Sequence, residues 1–223
     1  SDNMVAVDSL QRAFTLIDLD PNIVVLEIWD DQTVALADFN LRLSTRRSRP
    51  LHIRGRDGEM PTISLQLPEA MVGSVESAFF RITSGTVNFQ NLELRFLLPS
   101  EFRPNLNLFA IADITQVGLK NTVLTVVPSA GLETTTQGQV AVFNLAEDRR
   151  PLNPLDSPDS TKLETIEFSN TIVRGPVTLF RNPYQRSFEF SWDNGAFLSS
   201  DWLYRAVLTD SGPVNSKVSL KNI

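Results

Sequence analysis

Four aromatic side chains crowd one stretch of this chain: Tyr184, Trp192, Trp202 and Tyr204. Both tyrosines and two of the three tryptophans fall there. Flat amphipathic rings stack well on sugars, and Asp193, Asn194, Asp201 and Arg205 stand nearby with polar groups that can orient hydroxyls. Tyr184, Trp192, Asp193, Trp202 and Tyr204 therefore read as a candidate carbohydrate platform. The alternative is that these rings plug the last turn of a repeat, each polar tip finding a partner.

A second chemistry lies upstream. Arg42, Arg46, Arg47, Arg49, His52, Arg54 and Arg56 form a basic stretch in an otherwise acidic protein. Guanidinium groups hold carboxylates and sulfates in bidentate fashion. Arg46, Arg47, Arg49, Arg54 and Arg56 are thus candidate contacts for a polyanion such as a uronic-acid polymer. The alternative is a solvated charged face on the first strands. His52 alternates with Leu51 and Ile53, so it faces away from whichever side they pack. One histidine makes no metal site alone.

The acid pairs are Asp30 with Asp31, Glu147 with Asp148, and Asp193 with Asp201. Two carboxylates about 5–10 Å apart can cleave a glycoside. No Walker, Rossmann or Gly-x-Ser-x-Gly pattern is present, and no residue set reads as a cofactor or metal site.

Composition narrows the partners. The chain has 223 residues, 42% of them hydrophobic, a net charge of −6 and no cysteine. The acidic balance argues against nucleic acid, whose phosphates call for an excess of Lys and Arg. The absence of cysteine excludes a disulfide scaffold and thiolate metal sites. No apolar run approaches the roughly 20 residues of a membrane-spanning helix. The opening Ser1-Asp2-Asn3-Met4 lacks the basic start of a signal peptide.

The elements that must position these residues read as strands. Val, Ile, Leu, Phe and Thr recur in short runs separated by Pro, Gly, Asn and Asp. The spacing predicts strands over 22–29, 33–44, 51–54, 62–67, 79–82, 87–98, 108–114, 117–127 and 139–145, with bends near Gly85 and Gly118. Residues 8–14 read as a short helix capped by Asp8 or Ser9, which would cover the first end of a stack. A phrase recurs along the chain: Phe89-Gln90-Asn91-Leu92, Leu119-Lys120-Asn121-Thr122, Phe168-Ser169-Asn170-Thr171 and Trp192-Asp193-Asn194-Gly195. Looser copies centre on Asn40 and Gln66. The step from Asn91 to Asn121 is 30 residues, and that from Asn170 to Asn194 is 24. Periods in this range signal units that stack on their neighbours. The longer step from Asn121 to Asn170 leaves residues 146–161, rich in Pro and acids, as a protruding loop.

This pattern resembles the right-handed parallel β-helix of the pectin-lyase-like superfamily, on 79–98, 108–127, 166–174 and 188–198. It also resembles, faintly, non-kinase segments of large bacterial serine/threonine kinase-like proteins, a likeness that implies no function. The first resemblance implies one all-β domain over 1–223, a solenoid with a short N-terminal cap, and a ladder of stacked Asn91, Asn121, Asn170 and Asn194. It also implies an extracytoplasmic setting. The superfamily's catalytic motifs do not carry over: His52 is not flanked by glycines, and no Asp cluster shares one strand face. The runner-up fold is a β-sandwich, whose strands return every ~8–12 residues. Inward apolar positions are expected at Leu94, Leu124 and Ile172.

Three functions follow. The first is a non-catalytic binding or scaffolding module for a polysaccharide or another protein domain, using a flat sheet face and the 146–161 loop. The second is a polysaccharide lyase or glycoside hydrolase using acids on adjacent coils. The third is a spacer in a larger protein.

Overall fold

A computed structural model describes residues 6–35, 41–44, 49–66, 77–98, 106–111, 115–129, 140–145, 163–183, 186–206 and 216–223. Asn40, Arg46, Arg47, Tyr184 and the 146–161 segment lie outside the described residues. Among the described residues the elements are one helix, α1 (Leu10–Leu19), and fourteen strands. These are β1 (Val25–Ile28), β2 (Gln32–Ala35), β3 (Leu41–Ser44), β4 (Leu51–Gly55), β5 (Thr62–Gln66), β6 (Ser77–Leu97) and β7 (Leu106–Ile111). There follow β8 (Thr115–Val127), β9 (Val140–Leu145), β10 (Glu164–Arg174), β11 (Thr178–Asn182), β12 (Phe188–Leu198), β13 (Tyr204–Ala206) and β14 (Ser216–Lys221).

Every described strand pair is parallel. That sets aside the sandwich, whose sheets are antiparallel. One run of neighbours is β1, β4, β6, β8, β10, β12 and β14; a returning run is β3, β6, β7, β9, β11 and β13. Each strand thus pairs with its counterpart one repeat on, giving a solenoid-like all-β fold. The strand β6 serves both runs: its first residues pair with β7, and those from Gly85 onward pair with β8. Gly85 allows this without a break, with φ of +85°. Gly118, expected at a bend, sits inside β8 instead. Its missing side chain leaves room for the amide of Asn88 on the neighbouring strand.

Strand β8 alternates buried and exposed on either side of Asn121, whereas β7, β9 and β11 are buried on both faces. Parallel strands covered on both sides carry continuous apolar runs, as Leu179-Phe180 and Val140 to Phe143 do. In-register stacking lines up like residues. The rings of Phe80, Phe109, Phe143 and Phe180 form a column with centroids 5.2, 5.1 and 5.5 Å apart. The helix covers the first rungs. Ser9 is its cap, accepting from Arg12 N–H, and Leu10, Ala13, Phe14 and Ile17 are buried, with Phe14 edge-on to Phe80.

Leu94 and Leu124 are fully buried, but Ile172 is exposed. The repeat explains the difference. Counting from each asparagine, the first and third residues turn inward and the second turns out. Leu94 and Leu124 are third residues, whereas Ile172 is a second residue in register with Val123. Val173 takes the inward place.

Candidate functional site

The repeat is organised around a line of asparagines. Asn91, Asn121, Asn170 and Asn194 have φ of 52°, 49°, 49° and 60°. Asparagine tolerates this left-handed geometry because its short side chain bonds locally, and most side chains are strained there. Each amide then reaches back one coil. Asn121 Nδ2 donates to Asn91 Oδ1 at 3.0 Å, Asn170 to Asn121 at 2.9 Å, and Asn194 to Asn170 at 2.6 Å. The next residue turns inward, and where it is threonine its hydroxyl bonds the interior backbone. Thr122 Oγ1 donates toward the carbonyls of Lys120 and Phe89, and Thr171 Oγ1 toward those of Ser169 and Leu119. Asn222, with φ of 56°, adds a left-handed asparagine on the last rung and donates to Asp193. Gln66 does not join the line: it pairs with Leu97, six positions beyond Asn91. Gly55 meets Asn91 instead, where a side chain would strike the Asn91 carbonyl.

The outward positions build a polar face. Arg54, Gln90, Lys120, Ser169, Asp193 and Lys221 share one row across the rungs. His52, Asn88, Gly118, Glu167 and Ser191 share the next. Adjacent strands in such rows lie about 4.8 Å apart. Thr86 Oγ1 donates to Gln116 Oε1 at 3.0 Å within this face.

Several of the described carboxylates are engaged by cations or hydroxyls, most of them across coils. Glu93 Oε1 accepts from Thr125 Oγ1 at 2.8 Å, from Arg95 Nη2 at 3.2 Å and from Arg174 Nη2 at 3.2 Å, while Arg174 Nε donates to Thr125 at 2.8 Å. Burial alone would raise the Glu93 pKa. The Thr125 hydroxyl and the two guanidiniums outweigh it and hold the carboxyl below the usual range. Glu27 bridges Arg54 at 2.9 Å and accepts from Trp29 Nε1 at 2.9 Å. Glu189 pairs with Lys217 at 2.6 Å, and Glu164 with Arg186.

Of the aromatic set, the described members Trp192, Trp202 and Tyr204 do not share one surface. Trp192 points inward on β12 and is 1% exposed, with Phe168 and Phe190 centred 5.1 and 6.1 Å away. Its indole N–H has no partner among the described residues, so the polar tip is not satisfied as a well-made plug would require. Asp193 is its neighbour in sequence and therefore faces out, accepting from Asn222. Trp202 and Tyr204 are exposed, at 61% and 41%, on the returning run, with Tyr204 stacked on Phe188.

Of the basic stretch, Arg49 is exposed ahead of β4. Arg54 is bound to Glu27, and the Arg56 guanidinium lies 5.0 Å from the Trp29 ring centre. Leu51 and Ile53 are fully buried, leaving His52 outward between them. Asp31 accepts from Thr62 N–H, and Asp201 from Trp202 N–H.

Sequence reading passed over the Glu93, Arg95, Thr125 and Arg174 cluster, though a signal for it exists. The fourth residue after successive asparagines is Arg95, Thr125 and Arg174. The same count gives Leu198, beside a shallow cleft of about 330 Å³ lined by Pro128, Gly175, Pro176, Leu198 and Ser200. None of these side chains titrates. Among the described residues, no three His, Cys, Asp or Glu side chains gather as metal ligands, and no helix is long and apolar enough to cross a membrane. No family model, curated protein or solved structure matches this chain.

Proposed function

We propose that this chain is a right-handed parallel β-helix of pectin-lyase-like type, serving as a non-catalytic binding or scaffolding module. Crossover connections between parallel strands of one sheet are right-handed in nearly all known cases. The outer polar face is the docking surface, and an extended acidic polysaccharide is the ligand class it suits. One observation carries this reading. Glu93, Glu27 and Glu189 are held in cross-coil bonds rather than left free for proton transfer. What remains outward in the central rows is largely amide, hydroxyl and cation, at Asn88, Gln90, Gln116, Lys120 and Ser169, with Glu167 an exposed acid among them. Such donors at a fixed rung spacing suit a regular polymer laid across the strands.

The test is a glycan array that includes uronic-acid and sulfated polymers, run with and without calcium. The expected result is saturable binding without new reducing or unsaturated ends, weakened by Lys120→Ala combined with Gln90→Ala. Cleavage of a bound polymer would replace this reading with the lyase or hydrolase. Absence of binding to every polymer would remove the polysaccharide and leave a protein-directed scaffold or a spacer.

A further inference from the structure

The faces on either side of the asparagine turn differ. Before the turn lie the polar rows that run through Gln90 and Lys120. Beyond it, outward positions of β6, β8, β10 and β12 form two rows in register. The first holds Glu93, Val123, Ile172 and Ala196; the second holds Arg95, Thr125, Arg174 and Leu198. Two arginines against one acid leave these rows positive in a protein of net charge −6.

The acid lies beneath the cations. The Glu93 side chain is 14% exposed, whereas those of Arg95 and Arg174 are 40% and 47% exposed. A single oxygen, Glu93 Oε1, takes four contacts. They come from Arg95 Nε at 3.3 Å, from Arg95 Nη2 and Arg174 Nη2 at 3.2 Å each, and from Thr125 Oγ1 at 2.8 Å. A carboxylate oxygen offers about two lone-pair directions, so these donors outnumber what it can serve. The Nη1 groups of both arginines have no partner among the described residues. Two guanidiniums are therefore held close together, half in water, with donors to spare. An oxyanion is the group that satisfies such donors.

The surface beside them is mostly carbon. Leu198 follows Arg174 in its row and is exposed. It lines the shallow cleft with Pro128, Gly175, Pro176 and Ser200, and Gly175 is the residue after Arg174. We propose that Arg95 and Arg174 hold the carboxylate or sulfate of a small organic anion, whose ring rests on Leu198 in the cleft beside Pro128 and Pro176. Glu93 and Thr125 are positioning residues that aim the guanidiniums. The ring adds apolar contact, so a ring acid outbinds a bare anion. The proposal uses no residue of the polar rows and does not depend on what they bind.

The experiment is an NMR titration of the isotope-labelled 223-residue protein, read at the arginine Nε–H signals. The probes are cyclohexanecarboxylate, glucuronate, acetate and glucose. Both ring acids are expected to shift Arg95 and Arg174 saturably and to bind several-fold tighter than acetate, with no shift for glucose. The tighter ring acid identifies the ring as hydrocarbon or sugar. Arg95→Gln and Arg174→Gln should each weaken the ring acids roughly tenfold, with circular dichroism checking that the fold is kept. Leu198→Ala, at an exposed position, should bring the ring acids down to the affinity of acetate. Equal binding of acetate and the ring acids by the native protein would overturn the proposal. So would saturable shifts at the Lys120 amide in place of the two arginines, or no shift with any acid.

Discussion

The two ends of this stack are built from the same kind of strand but finished differently. At the first end, Ile28 on β1 is 5% exposed, and α1 lays Leu10, Phe14 and Ile17 over the rungs. At the last end, Leu220 and Val218 are about half exposed, with Trp202 and Tyr204 in the open. Burial here is therefore a property of having a neighbour, not of residue type. In a solenoid each unit is held by the unit above and the unit below, and an end unit has only one. The helix replaces the missing neighbour at one end; β14 stands without a replacement among the described residues.

Four substitutions or pairs sharpen that comparison. The largest effect is expected for Leu124→Asp against Leu220→Asp. The first places a carboxylate in a fully enclosed site and should cost more than about 4 kcal/mol, enough to unfold the chain. The second should cost less than about 1 kcal/mol because water reaches it. Urea denaturation followed by circular dichroism separates them, and equal loss would break the distinction between interior and end.

Next comes the helix. Phe14→Ala removes the ring that meets Phe80 and should cost about 3 kcal/mol, with Trp202→Ala within about 0.5 kcal/mol. Comparable midpoints for the two variants would show that α1 covers nothing of consequence.

The asparagine line offers a smaller contrast. Asn121 both donates and accepts, so Asn121→Ala loses two ladder bonds and strains a left-handed backbone, together about 2–3 kcal/mol. Asn222→Ala, at the open end, should cost about 1 kcal/mol. Asn121→Gly keeps the backbone geometry and isolates the bonds.

The smallest effect is electrostatic. Glu93→Gln should cost about 1 kcal/mol at neutral pH. The Glu93 pKa is held below its unfolded value, so its contribution is complete above the ordinary carboxylate range. It is lost as pH falls through the lowered folded value. The gap between wild type and variant should therefore close in acid. A gap that widens in acid would reverse the assignment of the Arg95 and Arg174 contacts.

Much of this was written plainly in the sequence, and the reason is periodicity. The four asparagines could be read because each occupies the same strained turn, where few other residues serve. The paired strands followed from the shared step between Asn91 and Asn121. What escaped reading depended on counting from the turn. Ile172 was assigned inward by its apolar character, yet it sits one position off the inward column. The same count separates two members of the aromatic set: Trp192 and Asp193 are adjacent on β12 and so face opposite ways. The Glu93 cluster joins residues as much as 81 positions apart, visible only once the coils are superposed. The exposure of Val218 and Leu220 left no mark in composition, since they look like any inward pair.

The most direct test of the stacked, one-end-covered architecture is residue-resolved amide hydrogen exchange on the native chain. Protection is expected to be greatest in β6, β8 and β10, each paired on both sides, and to fall steeply at β14. The first rungs under α1 should exchange more slowly than β14. Slow exchange across Ser216–Lys221 equal to that of β10, or rapid exchange within β8, would contradict the account.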